Sequence, residues 1–162
     1  MPLTPHVTAP RLDSSYGITG PAEGASWAAI DERLTTSRNY WVCTTRANGA
    51  PHSKPVWGVW DDALWFSTGT GAVTGRNLAR DARISVHLES GDDVVILEGA
   101  VEPTRLADVP PAITNAYAEK YAFDPTEGPE AEAGVWYRLV PSVAHSWLER
   151  DFQNSVARWE FD

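Results

Sequence analysis

Short runs in which apolar and polar residues alternate dominate the chain and predict a mainly β protein. Segment 83–89, for example, alternates polar and apolar residues strictly, as the two faces of a half-buried strand require. The dipeptide Asn48-Gly49 predicts a two-residue hairpin turn between the strands that flank it. The other predicted strands are segments 40–46, 52–60, 63–67, 94–102, 135–140 and 143–148, the last two separated at Pro141.

Three segments instead predict helices. In segment 25–37, Trp27, Ile30 and Leu34 fall at helical spacing, and Ser26 is the expected N-cap. The other two predicted helices are 74–80 and 106–121, the second with two prolines in its first turn.

The ends of the chain differ from its middle. Residues 1–22 contain several prolines and glycines and little periodicity, so they predict an extended N-terminal arm. Its Leu12, Tyr16 and Ile18 are expected to pack on the body or on a partner subunit. Residues 23–162 are expected to form a single domain that includes an acidic surface loop at 124–134 and an aromatic tail at 156–161.

Many short antiparallel strands with few helices favour a small β-barrel, which hides its strand edges by closing. Side chains fill the interior of so small a barrel, so a ligand is expected to bind outside it or between subunits. Eight tryptophans in 162 residues point to a flat ligand, to oligomerisation, or to both. The expected position of the ligand and the number of tryptophans both favour a dimer.

Charge and composition narrow the partners and the location. The net charge of −9 and the scattered basic residues argue against nucleic acid and against an anionic membrane. No apolar run approaches membrane-spanning length and the first residues lack a secretion signal, so a soluble cytoplasmic protein is expected. Cys43 is the single cysteine, which excludes an internal disulfide.

The loop FSTGTGAVTGRNL, residues 66–78, joins a predicted strand to a predicted helix and is rich in small and hydroxylated residues. Backbone N–H groups in such a loop and at a helix N-terminus can bind a phosphate. Further donors are the hydroxyls and the guanidinium of Ser67, Thr68, Thr70, Thr74 and Arg76. The alternative is that these residues serve only as turn and cap residues.

The segments NYWVCTTRANGAPHSKPVWGVWDDALWFSTGTG and RNLARDARISVHLESGDDVVILEGAVE resemble the pyridoxamine 5′-phosphate oxidase-like split-barrel family, including its F420-dependent reductases. The resemblance covers residues 38–103. It implies a homodimer of six-stranded antiparallel split β-barrels of the FMN-binding type. Each of two interface clefts would hold one flavin-type cofactor, FMN or F420.

The resemblance also implies which residues hold the cofactor. The main chain along the ring would be that of Lys54, Pro55, Val56 and Trp57. The ribityl chain and the phosphate would contact Ser67, Thr68, Gly69, Thr70, Arg76 and Asn77. From the other subunit, Trp147 and Trp159 would wall the cleft.

One residue departs from the pattern that relatives show. Thr74 stands where relatives usually carry a lysine against the cofactor phosphate, and a threonine brings no charge. The loss of one charge-assisted contact costs about 1.5 to 3 kcal/mol, at least about a tenfold loss of affinity. Arg76 or Lys54 compensates, or the chain binds its cofactor weakly or binds another ligand.

Catalysis by a flavin-type cofactor requires no conspicuous protein acid or base, because the cofactor carries the hydride chemistry. His52 is the one weak catalytic candidate, and a structural role for a histidine in a strand is the alternative. His87 and His145 have no further ligands at metal-site spacing, so no metal site is expected. Asp92 and Asp93 are turn residues in this interpretation. The acidic run 124–132 is a solvated loop or fringes the cleft.

Two classes of function therefore remain. The first is an oxidoreductase that uses F420 or FMN to transfer hydride to a small unsaturated, quinone-like or tetrapyrrole-like acceptor. The second is a non-catalytic split-barrel protein that binds a cofactor, haem or a lipophilic ligand. A pyridoxamine-phosphate oxidase is a third option, and it would need further basic residues for a second phosphate.

Overall fold

Antiparallel β-strands dominate the structure, a computed structural model that describes residues 4–162. The prediction of a mainly β protein is confirmed. The strands are β1 (His6–Thr8), β2 (Tyr40–Thr45), β3 (Pro51–Val56), β4 (Gly58–Trp60), β5 (Leu64–Gly69), β6 (Arg83–His87), β7 (Asp93–Thr104), β8 (Gly134–Leu148) and β9 (Ala157–Glu160). The helices are α1 (Trp27–Thr36), α2 (Val73–Arg80), α3 (Pro111–Tyr121), α4 (Pro129–Ala133) and α5 (Phe152–Ser155).

Strand pairing closes the middle of the chain into a split barrel. β3 pairs with β2, β2 with β6, β6 with β7, β7 with β8, β8 with β5, and β5 with β4. Because β4 follows β3 directly in the chain, these two short strands act as one barrel strand that changes partner. The six-stranded barrel is thus confirmed, and β9 and β1 extend the sheet outside it.

The predicted strand 52–60 is broken at Trp57, which is the point where the barrel is split. Before it, Val56 lies opposite Tyr40 of β2, and after it Gly58 lies opposite Phe66 of β5. Trp57 itself is 39% exposed, whereas Trp60 is buried. The prediction that these two tryptophans face opposite sides is confirmed, and the prediction of one continuous strand is wrong.

The hairpin at Asn48-Gly49 is confirmed, but its turn is longer than two residues. Thr45 and Pro51 are the last facing pair, and the amide of Arg46 donates to the carbonyl of Ala50 (2.9 Å). Gly49 takes a φ of +84°, the left-handed conformation that glycine adopts without steric cost.

Three further boundaries differ from the sequence predictions. β8 runs unbroken through Pro141, which pairs with Gly99, and a bulge between the Glu98 and Gly99 pairs accommodates the extra residue Ser142. Segment 106–121 is a 3₁₀ turn followed by α3, since Pro110 and Pro111 start the helix rather than lie inside it. The acidic loop contains the short helix α4.

Two apolar clusters lie on opposite sides of the barrel wall. The barrel interior contains buried side chains from every barrel strand, among them Val42, Val56, Phe66, Val86, Leu97 and Leu139. The second cluster packs α3 on the outer side of β4, β5 and β8 through Val59, Trp65, Ile113, Tyr117 and Trp136. Neighbours such as Trp65 and Phe66 belong to different clusters, because successive side chains of a strand point to opposite faces.

The N-terminal arm packs on the body of its own chain. β1 pairs with β9 at the edge of the sheet, and Tyr16 lies against Phe152 with 5.6 Å between the ring centroids. Leu12 and Tyr16 remain exposed. The first three residues of the predicted arm lie outside the described part of the chain. Within residues 4–162, the helices are too short or too polar to cross a membrane.

Candidate functional site

The candidate site is a cleft of about 500 Å³ between β3, β5, α3 and the acidic loop. It continues into a smaller depression of about 350 Å³ that shares Lys54, Trp57, Ser67 and Tyr117 with it. Seven of the predicted cofactor residues line this cleft, namely Lys54, Pro55, Val56, Trp57, Ser67, Thr68 and Gly69. Strand β3 and the end of β5, which are distant in sequence, therefore contribute to the same cleft.

Strand β3 lies at the free edge of the barrel sheet. Its one pairing partner is β2, so on its other side every second N–H and C=O group lacks a strand partner among the described residues. Pro51 and Pro55 fit this position, because a proline has no N–H to donate and occurs in sheets mainly on edge strands. The polar edge of a flat ring can form hydrogen bonds with these free main-chain groups.

Two hydrogen-bond donors in the cleft are unused. Lys54 is the single basic side chain among the described residues that line it, and within residues 4–162 its ammonium forms no ion pair or hydrogen bond. The hydroxyl of Ser67 likewise makes no hydrogen bond inside this part of the chain. An anionic or polar ligand would find both donors available without breaking a protein contact.

The tight turn after β5 directs the start of α2 toward the cleft. The amide of Ala72 donates to the carbonyl of Gly69 (3.0 Å), and Ala72 lines the cleft. Among the described residues no side chain caps the N-terminus of α2, so its first amides have no side-chain acceptor there. A helix N-terminus of this kind attracts an anion.

The inward face of α2 is buried, and it carries two of the residues predicted to contact a phosphate, Thr74 and Asn77. Thr74 is 0% exposed, and its hydroxyl has no partner within the described residues. The amide of Asn77 donates to the buried Thr44 hydroxyl (3.0 Å) and so attaches α2 to β2. Neither side chain reaches the cleft here, because both point into the protein rather than toward the loop surface.

Thr70 and Arg76 are exposed on the loop and on the outer side of α2, and neither lines the cleft. Thr70 keeps its main chain close to the acidic loop, where its amide donates to Ala133 (3.4 Å). Contact of these two side chains with a phosphate stays a prediction.

Replacing Thr74 with valine tests the buried hydroxyl. A buried hydroxyl without a partner is costly, so Thr74→Val is expected to raise the free energy of unfolding by about 1 kcal/mol, measured by denaturant titration. Flavin affinity is expected to stay unchanged. Thr70→Val, at an exposed position, is the matched control with no expected stability change. A loss of affinity in Thr74→Val alone would show that this hydroxyl does reach the ligand.

Aromatic side chains form the opposite wall of the cleft. Trp57 stacks on Tyr121 with 4.6 Å between centroids and 7° between planes, and Phe123 meets its edge at 6.3 Å. Tyr117 and Trp136 complete this wall. Burial, with smaller contributions from Tyr121 and Glu130, raises the pKa of Tyr117 to about 12, so its hydroxyl stays protonated at neutral pH.

The sequence interpretation missed this aromatic wall. Tyr117, Phe123 and Trp136 come from α3, from the segment after it and from β8. A local signal existed in the dense aromatic residues of 117–123, but their meeting with Trp57 depends on how α3 packs across the strand break. Glu130 of the acidic run also lines the cleft, so the interpretation that this run fringes the cleft fits the structure.

The two tail tryptophans lie away from this cleft within the same chain. Trp159 is 3% exposed, packs on Trp27 and donates its indole N–H to the Ser146 hydroxyl (2.9 Å). Trp159 therefore belongs to the core of its own chain and offers almost no surface to a second subunit. Trp147 is half-buried near the far end of β8, where it donates to Glu149 (3.0 Å). Its role at a partner's cleft stays a prediction.

The weak catalytic candidate, His52, lies on β3 but does not line the cleft. It is half-buried and faces Thr44 of β2, and its Nδ1 is buried without a hydrogen-bond partner within residues 4–162. His52 points to the same side of the strand as Lys54, two residues further on. A catalytic role for it stays a prediction.

Comparisons with known proteins agree with this geometry. The model of the pyridoxamine 5′-phosphate oxidase family matches residues 26–148. A solved structure of the conserved hypothetical protein Rv2991 from Mycobacterium tuberculosis is 26% identical, with a TM-score of 0.62, over 77% of this chain and 86% of that one. No curated protein matches the sequence.

Two further solved structures share the fold at lower identity. One is described as an F420 reductase, 20% identical with a TM-score of 0.59 over 75% of this chain and 96% of that one. The other is a haem-binding protein from Mycobacterium smegmatis, 18% identical with a TM-score of 0.60 over 78% of this chain and 60% of that one.

Proposed function

The chain belongs to the pyridoxamine 5′-phosphate oxidase family, and from this premise we propose that it is an oxidoreductase dependent on FMN or F420. Its acceptor is a small unsaturated, quinone-like or tetrapyrrole-like molecule. The observation that carries the proposal is the cleft itself, which combines a free strand edge, two unused donors and an aromatic wall.

The residues present fit a flavin-type group. The outward-facing main-chain groups of β3 suit the polar edge of a tricyclic ring, because strand amides are held in fixed positions. Lys54, Ser67 and the free amides at the start of α2 suit a phosphate. When bound, the cofactor supplies hydride transfer, which no side chain can perform.

The chain's own residues would orient the acceptor and exclude water. Trp57, Tyr117 and Phe123 present flat apolar surface beside β3, which suits a conjugated acceptor stacked near the ring. Because the high pKa of Tyr117 keeps its hydroxyl protonated, that group can donate a hydrogen bond to an acceptor oxygen.

A cytoplasmic homodimer is part of this proposal. The exposed aromatic side chains Trp57 and Phe123 and the unpaired edge of β3 support it, since such surfaces are normally covered. A second subunit that closes the cleft would shield the ring from water and leave the acceptor end open.

Binding of the two cofactors to the purified protein tests the proposal. We expect FMN or F420 to bind with a dissociation constant of roughly tens of micromolar or less, measured by cofactor fluorescence and by calorimetry. Reduced F420, or reduced FMN, should then be oxidised by menadione in a protein-dependent reaction. Absence of binding for both cofactors would overturn the proposal.

The second candidate is a non-catalytic protein that binds a cofactor, haem or a lipophilic ligand in the same cleft. The buried Thr74 favours it, because position 74 then brings no charged side chain to a phosphate. The haem-binding structural neighbour has the same fold. Tight binding of haem without any turnover in the menadione assay would favour this binding protein over the oxidoreductase.

A further inference from the structure

The strand break that carries Trp57 is held from one side by helix α3. The hydroxyl of Tyr121 accepts a hydrogen bond from the amide of Gly58 (2.9 Å) and donates one to the carbonyl of Arg38 (2.6 Å). The ring of Tyr121 is the one on which Trp57 stacks. One α3 residue thus binds both the peptide and the indole at the break.

Lys120, the preceding residue of α3, binds the same glycine from a second direction. Its ammonium donates to the carbonyl of Gly58 (3.0 Å) and to the hydroxyl of Tyr40 (3.0 Å). It also lies 4.8 Å from the ring centroid of Tyr40 and 5.4 Å from that of Tyr121. The ammonium therefore joins α3, β2 and the start of β4 at one point.

The groups of residues 4–162 that face this ammonium carry no balancing negative charge. None of the ion pairs within residues 4–162 involves Lys120. The charged and titratable groups that face it are Tyr40 from β2, Arg38 from the segment before β2, and Tyr121 from α3. Burial keeps the phenols of Tyr40 and Tyr121 protonated, because it raises the pKa of each.

We propose that Lys120 is a positioning residue: with Tyr121 it fixes the backbone of Gly58, and through that backbone and the Tyr121 ring it sets the position of the Trp57 indole in the cleft. Residues of α3 bind both the N–H and the C=O group of Gly58. Neither group is therefore free to pair with a neighbouring strand. The guanidinium of Arg38, 5.7 Å from the Trp57 ring, adds to the same cluster.

The geometry makes the position of Trp57 sensitive to the charge on Lys120. Burial, together with the nearby Arg38, lowers the pKa of Lys120 from 10.5 to about 8. Loss of the proton removes the attraction to both tyrosine rings and weakens the hydrogen bond to the Gly58 carbonyl. Trp57 is therefore expected to be held more firmly below that pH than above it.

Fluorine NMR of the protein labelled with 5-fluorotryptophan tests this without any cofactor. Trp57→Phe assigns the Trp57 resonance. In the wild type this resonance is expected to move as the pH passes through about 8. In Lys120→Arg, which stays charged, it should remain at the low-pH position throughout, and in Lys120→Met near the high-pH position.

The remaining tryptophan resonances report whether each variant is folded. Persistence of the wild-type titration in Lys120→Met or Lys120→Arg would overturn the proposal. A Trp57 resonance that does not move with pH in the wild type would overturn it as well.

The consequence for cofactor binding rests on the proposed function. If FMN or F420 binds beside Trp57, its dissociation constant in Lys120→Met should rise about tenfold and lose its dependence on pH near 8. Lys120→Arg should restore both the affinity and the low-pH behaviour. If the wild type binds neither cofactor, the proposed function fails, while the NMR result still decides the role of Lys120.

Discussion

Replacing Gly75 with alanine is expected to lower the free energy of unfolding by about 3 kcal/mol and to abolish ligand binding in the cleft. A Cβ at this position would lie 2.4 Å from the carbonyl oxygen of Gly69 and 3.3 Å from the Cα of Thr70. These are backbone atoms of the tight turn between β5 and α2, so they cannot rotate away as a side chain would. The turn or the helix has to shift.

Helix propensity alone would predict the opposite change, a gain in stability. Alanine in a helix is favoured over glycine by about 1 kcal/mol, so an open helical site would gain stability. At Gly75 the backbone clash exceeds that gain. The measurement is a denaturant titration together with a calorimetric titration of FMN or F420.

Gly71→Ala is the matched control in the same loop. A Cβ there meets nothing within 4 Å, so stability is expected to change by less than about 0.5 kcal/mol. Equal stability of the Gly75 and Gly71 variants would mean that α2 packs less closely on the turn than the structure has it.

Replacing Lys54 with methionine is expected to weaken FMN or F420 binding by about tenfold to a hundredfold. Methionine keeps an unbranched apolar stem of similar length and removes the charge. A charge-assisted hydrogen bond to an anion is worth about 1.5 to 3 kcal/mol, and no other basic side chain among the described residues lines the cleft. The measurement is the dissociation constant at two salt concentrations, since the charged contact weakens with salt.

Two variants control this experiment. Lys54→Arg keeps the charge and should retain most of the affinity, whereas Arg76→Met tests the alternative that the phosphate contacts the exposed side of α2. Stability should be little affected in the Lys54 variants, because the ammonium makes no hydrogen bond or ion pair within residues 4–162. If Arg76→Met lost affinity and Lys54→Met did not, the phosphate would bind at the outer face of α2 and not beside Lys54.

Local pattern predicted most of the barrel correctly. Strict alternation in β6, the Asn-Gly turn after β2 and the order of short strands are all properties of neighbouring residues. They need no knowledge of distant contacts, because the period of side chains along a strand is itself local. The same reasoning failed at Trp57, where the chain changes from one sheet partner to another.

The candidate site could be predicted only in part. The β3 and β5 contributions followed from the family resemblance, and these seven residues do line one cleft. The aromatic wall from α3 and β8 was missed, since its residues meet Trp57 only after α3 has packed over the outer face of the barrel. Thr74 and Asn77 were expected at a phosphate; both side chains are buried, and their contact with a phosphate stays a prediction.

The sequence by itself determined that this is a small antiparallel barrel with a hydroxyl-rich loop before a short helix, because periodicity and turn residues act over a few positions. Only the tertiary structure decided which donors face the cleft and which are buried. It placed Lys54 and Ser67 in the cleft, buried Thr74, and set α3 across the strand break. Those outcomes depend on the angle at which helices pack on the barrel, and that angle is set by contacts between residues far apart in the chain.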